Sequence, residues 1–263
     1  MKIIGSTIIM LALVPSLFAD NSKELKLASP DGTHEIAFYQ KQVSPAVNEL
    51  CYRVDYKSQP VVNESRAGLE LDNRIWEMAL GARNLKQPAC WMDNLEVDSV
   101  TYQPETDITW QPLYGERSSV HDHYRAGTLY LSKKDNSGYR LNIEVRAYNE
   151  GVAFRYFFPE HPKAIFHKVV GDLTEYTLPA GTKAWTEQWA QAFFKYLSID
   201  DIKHPVERAL TLELPNGKWA ALADADIDDW CLTKYLASTD KKNTLTSVMY
   251  SPVDVVTYYA TPW

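Results

Sequence analysis

Two clusters of side chains in this chain could do chemistry without help. HDHY, residues 121–124, places His121 and His123 two apart, with Asp122 between them and Glu116 close by. In an extended segment residues i and i+2 share a face, so the two imidazoles would stand together, and paired imidazoles suit a transition metal. Two ligands do not make a site and the spacing identifies no third, so the sequence assigns no metal. DADIDDW, residues 224–230, gathers Asp224, Asp226, Asp228 and Asp229, and on a strand the first three would share a face. Carboxylates held about 5 to 9.5 Å apart in a cleft hydrolyse glycosidic bonds. A solvated acidic strand edge is the commoner meaning of such a run, because charge there discourages strand pairing. No nucleophile elbow, phosphate loop or CxxC pair is present. Local motifs alone do not make this chain an enzyme.

Positioning such groups takes a folded core, and the composition supplies one. The chain has 263 residues, 45% hydrophobic and 12% aromatic, enough for one large domain. Residues 1–19 combine Lys2, an apolar run from Ile3 to Phe18 and the small Ala19, the pattern of a secretory signal removed from the mature protein. Residues 20–263 then form an exported domain, periplasmic or secreted. No later segment approaches the roughly 20 apolar residues of a membrane helix. The three cysteines Cys51, Cys90 and Cys231 allow at most one bridge and require none. A net charge of −7 without long charged runs argues against nucleic acid and anionic membrane as partners. A neutral ligand fits better. Eight Trp and sixteen Tyr serve a large β core, and their faces also suit the apolar faces of sugar rings.

Period-two alternation runs through the chain. In YRLNIEVRAY, Leu141, Ile143, Val145 and Ala147 fall on one face and Arg140, Asn142, Glu144 and Arg146 on the other. Turn signals divide such runs at SPDG (29–32), KDNSG (134–138), NEG (149–151) and PNG (215–217). Residues 128–159 read as a three-strand meander whose two turns use Gly138 and Gly151 at positive φ. Helical patterning is weak, NRIWEMALGARN (73–84) being the best candidate. The fold class is all-β, one sandwich of two large antiparallel sheets. In VAFRYFF both faces are apolar apart from Arg155, which predicts an arginine in a partly buried layer, paired with Glu144 or Glu175. Its removal would then unfold the domain.

RAYNEGVAFRYFFP (146–159), followed by LTEYTLP (173–179) and AW (184–185), resembles the N-terminal domain of glycoside hydrolase family 97. SPDG (29–32), SRAGLEL (65–71), YGERSSVHDHY (114–124), ALADADIDDW (221–230) and the closing YYATPW (258–263) extend the resemblance across the chain. It implies an exported bacterial α-glucosidase or α-galactosidase built from an N-terminal β-supersandwich of the galactose mutarotase type, a catalytic (β/α)8 barrel and a C-terminal β domain. The barrel carries the acid and the base or nucleophile. The resemblance places the start of that barrel at Trp263, so the chain would be a noncatalytic, active-site-supporting domain that lacks its barrel partner. Its ligand class would be an α-linked oligosaccharide or galactoside.

The resemblance also implies a calcium ion beside the active site, with one glutamate ligand from this domain. QAFFKY (191–196) sets Phe193 where that glutamate would stand, so the chain's own contribution to a cofactor is absent, Glu187 being the nearby substitute. The family's Glu-Ala pair becomes Asp224-Ala225. The sugar-proximal candidates are Trp185, Glu187, Trp189, Tyr196 and Asp224. Two other readings stay open. A free-standing sugar-binding module would use Trp185, Trp189 and Tyr196 as a stacking platform. A mutarotase-like epimerase would work by acid and base, although no matching His and Glu motif is present. Anomer interconversion marks the epimerase and saturable binding without turnover marks the module. The supporting domain expects neither.

Overall fold

The computed structural model describes residues 19–20, 23–72, 93–134, 137–161, 167–225, 227 and 230–250. Among them nineteen strands and a single 3₁₀ turn (Ile199–Asp201) make up the regular structure, and every strand pairing is antiparallel. The helix candidate at 73–84 and Cys90 lie outside the described residues. The expected cleavage point after Ala19 falls within the two-residue strand β1 (Ala19–Asp20).

Numbered along the chain, the strands form five sheets. One runs β1, β7 (Glu96–Tyr102), β9 (Val120–Ser132), β10 (Arg140–Tyr148) and β11 (Gly151–Phe157), with β8 (Thr106–Trp110) also on β9. A second is a four-strand meander, β2 (Glu24–Ala28), β3 (His34–Ser44), β4 (Val47–Tyr56) and β5 (Gln59–Arg66). The pair β6 (Leu69–Leu71) and β12 (Val169–Asp172) and the triplet β13 (Glu175–Thr177), β19 (Thr244–Met249) and β18 (Thr233–Ala237) continue the layers. The fifth sheet has the order β15 (Lys195–Ser198), β14 (Lys183–Thr186), β16 (Leu210–Glu213) and β17 (Trp219–Leu222).

All of this closes on one continuous core. Leu141, Ile143, Val145 and Ala147 are at most 1% exposed, as their alternation predicts, and they meet Leu25, Phe38 and Tyr52 of the second sheet. Phe154 of β11 closes the layer against Phe38 at 5.1 Å and Tyr52 at 5.3 Å between ring centroids. Ala184, Leu212, Tyr235 and Leu245 extend the same cluster under the later sheets. The meander over residues 128–159 is present, with β9 starting earlier, at Val120. Gly138 has φ +85°, whereas Gly151 keeps an ordinary φ and simply opens β11.

Arg155 corrects the sequence expectation. β11 has one covered face, carrying Val152, Phe154 and Tyr156, and one wet face, where Ala153, Arg155 and Phe157 are exposed. Phe157 made that face look buried. The pairing with Glu144 holds: the two are opposite in the β10–β11 register, with Arg155 Nε 2.7 Å from Glu144 Oε2. Glu175 serves elsewhere, accepting from Lys241 Nζ at 2.7 Å. Cys51 is buried and Cys231 half-buried, both as free thiols, and burial pushes the Cys51 thiol up to about 11.

Candidate functional site

The outer face of the fifth sheet carries the aromatic candidates. Ala184 and Thr186 of β14 and Leu212 of β16 turn inward and are buried, so Lys183 and Trp185 turn outward. Register sets Trp185 opposite Tyr196 on one side and Thr211 on the other. The Trp185 and Tyr196 rings lie 4.9 Å apart, tilted by 34°. Lys183 Nζ stands 5.0 Å over the Tyr196 ring, and the Tyr196 hydroxyl donates to Glu213. That bond to a carboxylate raises the phenol above its ordinary range. Trp219, opposite Glu213 in β17, is exposed and lengthens the aromatic row.

Glu187 and Trp189 belong to a separate patch, whose β14 and β15 residues Thr186, Lys195 and Leu197 alternate with Trp185 and Tyr196 and so take the opposite face. The turn after β14 lines an open groove of about 470 Å³ with Glu187, Trp189, Phe193, Lys195, Asp201 and His204. Phe193, at the position where the resemblance sets a glutamate, is 91% exposed. A phenyl ring offers no oxygen and calcium takes oxygen ligands, so this position does not fit the ion. Glu187 lines the same groove.

Beneath the groove lies a set of charges that the sequence did not disclose. Lys234 Nζ donates to the Gln188 carbonyl at 2.6 Å and faces Glu207 Oε1 at 2.5 Å. The Glu207 amide donates to the Glu187 carbonyl at 2.8 Å. Both side chains of this pair are largely buried, 11% exposed for Lys234 and 22% for Glu207, so each charge needs the other. The result is a strap that ties the groove turn to β18. Next along the chain, the nearly buried Arg208 pairs with Asp224, which also accepts from Thr233 Oγ1 at 2.8 Å. A lysine inside the strand-like run TKYLA was the available signal for this layer.

The reading of Asp224 as part of an acidic strand is therefore corrected. β17 ends at Leu222, so Asp224 follows the strand instead of alternating along it, and its carboxylate is committed to Arg208 and Thr233. Asp226, Asp228 and Asp229 lie outside the described residues. Of the five candidates, the structure brings Trp185 and Tyr196 into one stack and Glu187 and Trp189 into one groove. Stacking and hydrogen bonding are what these groups can supply.

The histidine pair stands away from this sheet, on the β8–β9 hairpin. His121 and His123 share a face of β9, with ring centroids 5.5 Å apart. His121 Nε2 lies 2.6 Å from Asp107 Oδ1 and His123 Nε2 lies 2.7 Å from Glu105 Oε1. The nearby carboxylates are thus Asp107 and Glu105, from across the hairpin, rather than Glu116 or Asp122.

The fold is an all-antiparallel β-supersandwich, and comparison with known proteins gives it a family. Residues 27–263 match the glycosyl-hydrolase 97 N-terminal domain, and the chain belongs to that family. It is 24% identical to a retaining alpha-galactosidase of Bacteroides thetaiotaomicron over 94% of this chain and 35% of that protein. A family 97 enzyme from Pseudoalteromonas sp. strain K8, solved with panose and with acarbose, superposes with a TM-score of 0.71 at 19% identity, over 86% of this chain and 32% of that one. A beta-arabinopyranosidase superposes with a TM-score of 0.68 at 17% identity, over 87% of this chain and 36% of that one. The chain spans about a third of the length of each.

Proposed function

We propose that this chain acts as the noncatalytic, sugar-facing N-terminal part of an exported α-glycosidase, walling an active site whose acid and base stand on a barrel domain. The observation that carries this reading is the outward stack of Trp185 on Tyr196, on a fold that belongs to family 97. Sugar rings present apolar C–H faces that dock on such aromatics, while groups such as Glu213 and Lys183 receive hydroxyls. Two partly buried carboxylates of the region, Glu207 and Asp224, are paired with Lys234 and Arg208, which suits a structural role rather than proton transfer. The similarity to an alpha-galactosidase and to an enzyme solved with panose supports α-linked oligosaccharides or galactosides as the ligand class. Export rests on the leader-like residues 1–19. Calcium enters no step assigned to this chain.

The test is to incubate the purified chain with panose and with an aryl α-galactoside. Neither free monosaccharide nor faster interconversion of anomers is expected. Release of monosaccharide by a contaminant-free preparation overturns the reading. Anomer interconversion would instead mark an epimerase, and saturable binding without turnover a free-standing module.

A further inference from the structure

The β8–β9 hairpin holds three metal-ligating side chains that the fold assembles and the aromatic sheet does not use. His121 and His123 stand two apart on β9, and Asp107 of β8 lies opposite His123 in the strand register. One ligand atom from each of Asp107, His121 and His123 can be chosen so that all three lie within 4.8 Å of one another. Around a tetrahedral ion with bonds near 2.0–2.1 Å, ligand atoms stand roughly 3.3 Å apart, so rotation of side chains with solvent access is enough to close the set. Glu105 completes the surroundings. Its Oε1 lies 2.7 Å from His123 Nε2 and its Oε2 accepts from Arg125 Nε at 2.9 Å, so it can anchor the hairpin or offer a fourth oxygen.

We propose that Asp107, His121 and His123 form a surface site for one divalent first-row transition ion, zinc being the natural occupant, with a fourth position left to water or Glu105. Two imidazole nitrogens and one carboxylate oxygen suit zinc, nickel or copper and do not suit calcium, which takes oxygen. The site sits on a hairpin of a different sheet from the aromatic strands, and it stands whether or not the domain faces a sugar. The ion would clamp β8 onto β9. That is useful, because β8 pairs with no other strand among the described residues.

The experiment is calorimetric titration of the purified chain, stripped with chelator, with zinc chloride, repeated with cobalt to read its visible absorption. One equivalent with a dissociation constant at or below about 10 μM is expected. His121→Gln, His123→Gln and Asp107→Asn should each weaken binding by about tenfold or more. Asp107 and His121 are exposed and His123 is half-buried, and far-UV circular dichroism of each variant checks the fold. His204→Gln, in the groove of the fifth sheet, should leave binding unchanged. Lack of saturable binding up to about 1 mM zinc overturns the proposal. So does binding that survives the hairpin substitutions or is lost in His204→Gln.

Discussion

The Tyr52 hydroxyl donates to the Glu175 carbonyl at 2.7 Å, joining β4 of the second sheet to β13 of the β13–β19–β18 sheet. Tyr52 is 1% exposed and packed by Phe38 at 5.4 Å and Tyr176 at 6.4 Å, so water cannot replace this bond. Burial drives its phenol well above the ordinary range, and it remains a donor at any pH the protein meets. Tyr52→Phe keeps the packing and strands the carbonyl. A loss of about 1–3 kcal/mol is expected, read as a lower urea midpoint at unchanged slope.

Two arginines should behave in opposite ways. The Arg155 side chain is 63% exposed, and Arg155→Ala should cost at most about 1 kcal/mol because water screens the pair with Glu144. The Arg208 side chain is 10% exposed, and Arg208→Ala leaves both a void and an Asp224 carboxylate without its cation. A cost of about 2–3 kcal/mol is expected. Denaturation of the two variants side by side gives the comparison, and equal losses would refute it.

The Trp185–Tyr196 stack lies on an exposed face, so its contribution should be small and measurable. In a double-mutant cycle with alanine at both positions, a coupling of about 0.5–1.5 kcal/mol is expected, with the fold intact by circular dichroism. A coupling near zero would mean that the rings meet without attraction.

Acid should weaken the domain through His167. This ring packs on Phe158 at 4.6 Å, Tyr139 at 6.1 Å and His161 at 6.5 Å. Burial, and after it the charge of His161, lowers its pKa to about 4. A histidine in the unfolded chain titrates near 6.5. Between those values the unfolded chain binds a proton that the folded chain refuses, so stability falls as the pH drops from about 6.5 toward 4 and is fully present above that window. Urea midpoints at about pH 7.5 and 5 should differ less in His167→Phe than in the parent chain.

Much of the architecture was legible as periodicity. The alternation of Leu141 to Ala147 fixed the inner face of β10, and the turn residues around Gly138 and Gly217 marked real reversals, with φ of +85° and +76°. Arg155 was misplaced because alternation reports which residues share a face and not whether that face meets another layer. Its neighbour Phe157 is an exposed aromatic that mimics a buried one. Asp224 misled for a related reason, since a strand reading of 224–228 assumed that β17 continued. The candidate site was legible where partners are close in sequence, as with Trp185 and Tyr196 on adjacent strands. It was hidden where they are distant. Asp107 meets His121 from fourteen residues away, and Lys234 reaches the Gln188 carbonyl across forty-six.

β11 is the last strand of its sheet, pairing with β10 and with no other strand among the described residues. Its outer backbone groups are an invitation to the edge of another molecule, and Phe157 on the same strand makes the invitation stickier. A guanidinium held mid-strand by Glu144 repels a second copy arriving in antiparallel fashion, since like charges would meet. Arg155 can thus be dispensable for folding and still govern whether a concentrated solution of this protein stays clear.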